Sequence, residues 1–176
     1  MRNNESLHCF RIADWQVRVC FTDTNELAGI HLLPSFAPFA CDMEDEEPLL
    51  TMYIDPTWTF PEATEHIKRC DTGNGDIVVD RTSQGEYLFL IRNLRGEDCA
   101  RMHASSDFST CHCQMLGERE DQRSFGLNNA MMMAYAFAGA MHGTLLVHAS
   151  VVRHDGKAML SWQRAAQARA HRHKTG

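Results

Sequence analysis

Thr144-Leu145-Leu146-Val147-His148-Ala149-Ser150-Val151-Val152, then Arg153-His154-Asp155-Gly156, then Lys157-Ala158-Met159-Leu160: an apolar, β-branched run stops at a polar turn containing glycine and then resumes. The pattern predicts a buried strand, a tight turn and the start of a second strand. Just before it, residues 127–141 are mostly good helix formers, with Ser124 able to cap the helix and His142-Gly143 to end it. This helix is apolar almost all round, so it is expected to be buried. After Leu160 the composition changes abruptly to Ser161-Trp162-Gln163-Arg164-Ala165-Ala166-Gln167-Ala168-Arg169-Ala170-His171-Arg172-His173-Lys174, without one acidic residue.

Upstream the chain reads as short strands. Phe10-Arg11-Ile12 and Val17-Arg18-Val19-Cys20-Phe21 alternate apolar and polar residues at the strand period. An irregular segment with Pro34 and Pro38 follows, then an acidic run at 42–47 that reads as a solvated loop, and an apolar piece at 49–54 stopped by Asp55-Pro56. The clearest hairpin joins 75–80 to 85–91 across a short polar connection ending in Gly85. Ala100-Arg101-Met102-His103 and 108–115 are expected to pair across Ala104-Ser105-Ser106-Asp107. The charged stretch Gly117-Glu118-Arg119-Glu120-Asp121 reads as a domain boundary.

Composition narrows the function classes. With 176 residues, 44% hydrophobic and 23% charged, the chain can bury a full domain core. A net charge of -6 argues against a general nucleic-acid binder, which needs a basic surface to neutralise phosphates. The richest apolar stretch, 130–141, is shorter than the roughly 18 to 20 residues of a membrane span, so no membrane role is expected. Seven scattered cysteines, an odd number with no leader-like apolar run ahead of them, point to the reducing cytoplasm.

Two kinds of site chemistry are weighed against these residues. Cys111-His112-Cys113 gathers three good zinc ligands, but on a strand the two thiols face one way and the imidazole the other, and no second ligand pair completes a tetrahedron. A thiol nucleophile lacks any ordered base, and no Gly-x-Ser-x-Gly turn occurs. Inert strand thiols are the expected reading. The run Met131-Met132-Met133 reads as core filler.

The strand-turn-strand at 144–160 points elsewhere. A phosphate loop lies between a buried strand and a helix, where glycines let backbone N–H groups surround phosphates while Lys and Ser/Thr reach the terminal phosphate and Mg²⁺. Such a loop belongs two or three residues after Leu160, where the chain has no glycine until its last residue. Reading the codons from Ser161 one base earlier changes this. Each Ala codon then supplies the GC of Gly or Ser, Arg as AGR supplies the AG of Lys, and Gln supplies the CA of Thr or Ala. The permitted reading is Phe-Leu-Ala-Lys-Ser-Gly-Thr-Gly-Lys-Ser-Thr, which is a phosphate loop.

Residues 127–160, with Leu146-Val147-His148-Ala149-Ser150-Val151-Val152 and Asp155-Gly156-Lys157-Ala158-Met159-Leu160 at their centre, resemble the segment before the phosphate loop of the HPr kinase/phosphorylase family, within the phosphoenolpyruvate-carboxykinase-like P-loop proteins. The β-rich first part resembles the N-terminal portion of HPr-kinase-related proteins. The resemblance implies an α+β protein: a β-rich accessory domain at 1–120, the first helix and strands of a P-loop kinase α/β domain at 121–160, and a basic, disordered tail at 161–176. It implies ATP-dependent phosphoryl transfer with Mg²⁺ in a full-length cytoplasmic parent, with His148 near the nucleotide and a protein or small metabolite as phosphoacceptor. The chain itself is expected to be an inactive N-terminal fragment without cofactors, because the loop lysine, the Mg²⁺ ligand and the base are missing. Its exposed apolar edges favour self-association into homo-oligomers. The competing expectation is a non-enzymatic, β-rich binding module with a basic C-terminal tail.

Overall fold

The computed structural model describes residues 6–23, 28–147, 150–155 and 157–161. Eleven strands are assigned among them: β1 Ser6–Ile12, β2 Trp15–Phe21, β3 Ala40–Cys41, β4 Leu50–Ile54, β5 Glu65–Asp71, β6 Gly75–Arg81, β7 Tyr87–Asn93, β8 Asp98–Ala104, β9 Thr110–Met115, β10 Ser150–His154 and β11 Lys157–Ser161. The one α-helix among the described residues, α1, spans Glu120–Met141. The chain divides into two compact units, Met1–Thr144 and Leu145–Gly176. The result is a sheet-rich α+β fold.

In the first unit nine strands form one sheet in the order β3-β1-β2-β4-β9-β8-β7-β6-β5. The alternating segments pair as their period predicts. β1 and β2 form an antiparallel hairpin, with Ala13 taking up the left-handed turn at φ 54°, and β5, β6, β7, β8 and β9 form an antiparallel meander. β4 joins these two blocks. It runs parallel to β2 on one side and to β9 on the other, with Val17 opposite Leu50 and Met52 opposite Cys111.

One face of the sheet carries the core. Phe10, Val17, Val19, Phe21, Leu50, Met52, Ile54, Met102, Cys111 and Cys113 point to it and are buried. Each large apolar side chain fully buried there stabilises the fold by about 1.5 to 3 kcal/mol. α1 covers this face together with two 3₁₀ turns, Ile30–Leu32 and Pro34–Phe39, which add Leu32, Leu33 and Phe36. Ser124, expected as the helix cap, instead donates its hydroxyl to the Leu32 carbonyl at 2.9 Å. The helix begins earlier, at Glu120, where the Gln122 side chain accepts a hydrogen bond from the Arg119 amide, the second half of a capping box. Glu120 and Asp121 in its first turn suit the positive end of the helix dipole.

Burial of α1 is one-sided rather than complete. Leu127, Ala130, Met131, Ala134 and Ala138 are buried, whereas Met132, Phe137 and Met141 are 46%, 46% and 64% exposed. The acidic run at 42–47 is a loop as expected, and it holds two arginines from the sheet. Arg11 pairs with Glu44 and Glu46, and Arg18 donates to the carbonyls of Glu44 and Glu46.

In the second unit β10 and β11 form an antiparallel hairpin, with Val151 opposite Leu160 and Val152 opposite Met159. Asp155 turns the chain at φ 48°. His148 and residues 162–176 lie outside the described residues.

α1 approaches the sheet most closely at Gly126. A Cβ there would stand 2.7 Å from the Cys99 carbonyl oxygen and 2.8 Å from Ala100 Cβ, so backbone would have to move. Gly126→Ala is therefore expected to lower stability by about 2 kcal/mol, an overpacking cost that outweighs the gain in helix propensity. Denaturant titration of the two chains checks this.

Candidate functional site

The second face of the nine-stranded sheet bears no helix. Strand alternation sends a row of side chains to it: Tyr53 on β4 stands opposite His112 on β9, His112 opposite His103 on β8, and His103 opposite Leu88 on β7. The expected division of Cys111-His112-Cys113 is found. The two thiols are buried on the helix side and His112 stands on the other.

A strap, residues 55–64, crosses this row because of the strand order. The chain leaves β4 in the middle of the sheet and must reach β5 at its edge, passing over β9, β8, β7 and β6. Five strand spacings amount to about 24 Å. Ten residues reach about 33 Å when fully extended, enough for the strap to make this crossing even though its first four fold into a turn with Trp58 N–H on the Asp55 carbonyl at 3.4 Å. Its ends are tied by Asp55 N–H to the Cys113 carbonyl at 3.0 Å and Thr64 N–H to the Arg81 carbonyl at 2.8 Å. In between, the Gln114 side-chain amide donates to the Pro56 carbonyl, and Phe60 lies 4.2 Å from the Arg101 guanidinium in a cation–π contact.

Trp58 is the centre of this contact. Its ring stacks on His112 with centroids 3.4 Å apart and planes within 6°, and Tyr53 stacks with His112 at 5.2 Å. His103 lies 6.0 Å from Trp58 and 6.4 Å from His112. Together these separations place His103 beside the indole, edge towards edge, rather than above it. His103 is 9% exposed, and its Nε2 is 3.0 Å from a Glu86 carboxylate oxygen. A carboxylate oxygen accepts, so Nε2–H is the donor of this contact.

Three ring nitrogens in this cluster are buried without a hydrogen-bond partner: Trp58 Nε1, His103 Nδ1 and His112 Nδ1. Burial pushes the His112 pKa below its ordinary value, the neighbouring His103 adds to the effect, and Asp55 opposes it. For Asp55 burial alone would raise the pKa, but hydrogen bonds from the Thr57 hydroxyl and amide and from Thr22 hold it below the usual carboxylate range.

This arrangement favours a neutral, dry ring stack under a tethered strap. Among the described residues no group of three or more His, Cys, Asp or Glu is placed to hold a metal ion. No described helix is long and apolar enough to cross a membrane. Of the residues singled out from the sequence, Cys111, His112 and Cys113 fall at the sheet, with only His112 in the cluster. His148 cannot be placed against it, since it lies outside the described residues. Trp58, His103, Glu86 and Tyr53 carry no motif. Only the strand alternation that sets His103 and His112 on the polar face foreshadows them.

Burial drives the Cys113 thiol up to about 12 and the Cys111 thiol higher still, with Cys113 itself contributing to the latter. Iodoacetamide at neutral pH is expected to spare both in the native protein and to alkylate them after unfolding, as read by peptide mass mapping. Trp58→Ala removes the stack and its half-buried ring and is expected to cost about 2 kcal/mol, measured by thermal or denaturant unfolding.

No protein-family model, curated protein or solved structure matches the chain.

Proposed function

We propose that the chain carries the β-rich accessory region and the helix-and-hairpin lead-in of an HPr-kinase-like, ATP-dependent phosphotransferase, with the phosphate loop written out of frame in codons 161–170. The observation that carries this reading is the hairpin. Strand, one tight turn at Asp155 and strand follow one another at Ser150–His154 and Lys157–Ser161, in the order the resemblance requires before a phosphate loop. The helix that precedes them, Glu120–Met141, covers the 127–141 segment of that resemblance.

The described residues do not themselves fit a nucleotide. The junction from a strand into α1 runs through Leu116, Gly117, Glu118 and Arg119, and its single glycine has Gln122 Cβ 2.5 Å from where a Cβ would sit. Glu118, Glu120 and Asp121 gather negative charge where phosphates would need to lie. On this reading the chain transfers no phosphoryl group, ATP and Mg²⁺ belong to the frame-restored cytoplasmic enzyme, and the phosphoacceptor is a protein or a small metabolite. On the same reading His148 is assigned a role near the nucleotide, as the resemblance implies.

A non-enzymatic binding module is the second reading, favoured by the exposed apolar side chains of α1, Met132, Phe137 and Met141. Calorimetry with Mg-ATP separates the two. The chain is expected to give no binding, and the protein with one base restored before codon 161 is expected to bind ATP in a Mg²⁺-dependent way. Codons at 165–170 that cannot encode Gly, Lys and Ser in the shifted frame sink the kinase reading. Nucleotide-independent affinity for a protein partner, lost on deleting 163–176, supports the module.

A further inference from the structure

We propose that the strap at 55–64 is a pH-sensitive latch, closed by the stacking of Trp58 on neutral His112 and released from the sheet when His112 takes up a proton.

The geometry gives the latch three parts. The strap is anchored at both ends by backbone hydrogen bonds, Asp55 to Cys113 and Thr64 to Arg81, and opens with a turn at Asp55–Trp58. Its interior is held by side chains: Trp58 on His112, Phe60 on Arg101, and the Gln114 amide on the Pro56 carbonyl. Beneath it, the buried nitrogens Trp58 Nε1, His103 Nδ1 and His112 Nδ1 have no partner, so the closed strap carries a polar desolvation cost that opening to water relieves. The closed state is thus held by ring stacking and apolar area against that cost.

Protonation tips this balance. A second N–H on His112 adds a donor where the buried Nδ1 finds no acceptor, and the new charge loses hydration under the strap, a cost set against its cation–π attraction to the Trp58 and Tyr53 rings. The groups facing His112 are Tyr53 on β4, Asp55 on the strap, His103 and Arg101 on β8, Gln114 on β9, and Glu86, whose carboxylate is engaged with His103. Asp55 favours the cation, but its oxygen is already taken by the Thr57 amide and hydroxyl at 2.8 and 2.7 Å. Burial disfavours it most, and His103 adds to this. The closed form therefore binds the proton less tightly than the open form.

The sign follows from that order. The open strap returns His112 to its ordinary value of 6.5, whereas the closed form holds it lower. Opening is constant above this value, grows as the pH falls below it, and levels off once the closed-state value has been passed. One linked proton allows at most about a tenfold gain in open population per pH unit.

The test follows the indole N–H resonance of Trp58 and the exchange of the Asp55 and Thr64 amides from pH 7.5 to 5.0 in the full chain. Trp58→Phe assigns the resonance. Trp15, whose Nε1–H donates to Thr144 at 2.8 Å and whose ring lies 5.1 Å from His142, serves as the internal control when read in a His142→Gln background. The control is needed because burial also lowers the His8 pKa, and His8 sits on β1 away from the strap. The expected result is that the Trp58 resonance moves to a solvent-exposed position and Thr64 exchange, corrected for intrinsic pH dependence, rises up to tenfold per unit, while Trp15 stays fixed. His112→Phe keeps an aromatic partner for Trp58 and should abolish the response. His112→Asn serves the same purpose should the phenylalanine chain fail to fold. An unmoved Trp58, an equal response in a folded His112 variant, or Trp15 moving in step with Trp58 overturns the latch.

Discussion

β4 is the constraint on which the rest of this sheet depends. A five-residue strand, parallel to both neighbours, splices a β1–β2 hairpin to a five-stranded antiparallel meander. A parallel neighbour cannot be reached by a tight turn, so the chain must make a long excursion on each side of β4. The first excursion, between β2 and β4, supplies the 3₁₀ turns that place Leu32, Leu33 and Phe36 against α1. The second begins with the strap and returns through β5 to β8 before β9 closes on β4. Both coverings of the sheet therefore follow from where one short strand sits.

The two coverings have opposite chemistry. On the helix side Gly126 lets α1 lie against the Cys99–Ala100 backbone, and the space is filled by Met52, Met102, Met131, Cys111 and Cys113. Thiols there stay protonated and behave as small apolar groups. On the strap side the same strands present His112, His103, Arg101 and Gln114, whose polar atoms need partners. Glu86, Gln114 and the strap carbonyls meet some of that need and the ring stack covers the rest, leaving the three unpartnered nitrogens as the residual cost.

The antiparallel parts were legible in the sequence because their information is local. Val17, Val19 and Phe21 alternate with Gln16, Arg18 and Cys20, and a turn lies within a few residues of each strand end. The alternation also set Cys111 and Cys113 against His112 correctly. β5 was not legible: Glu-His-Ile-Lys-Arg-Cys-Asp is an edge strand with almost every side chain exposed, so no apolar face marks it. A bulge between His66 and Lys68 breaks its period further. The apolar piece at 49–54 was visible, but its neighbours were not, since Met52 meets Cys111 across 58 intervening residues. The site shared that fate. Trp58 and Phe60 read as two aromatics in a proline-bounded loop, and only the strand order brings Trp58 over His112.

That distinction also separates what is fixed in this unit from what can change. The helix side is closed by many contacts of one kind, and loss of any one leaves the others in place. On the strap side, ten residues outside any strand are held by two terminal backbone bonds and by a few side chains, of which Trp58 has the closest stacking partner. Chain without neighbouring strands gains little from its own backbone, so its attachment energy resides in those side chains. A change at one ring is then a large fraction of the whole attachment. Because His112 stands directly opposite His103, and His103 is bound to Glu86, a proton placed on the first ring acts on a row of groups that already lacks acceptors. His112 and His103 lie where the sheet is covered least redundantly, and that placement follows from the position of β4.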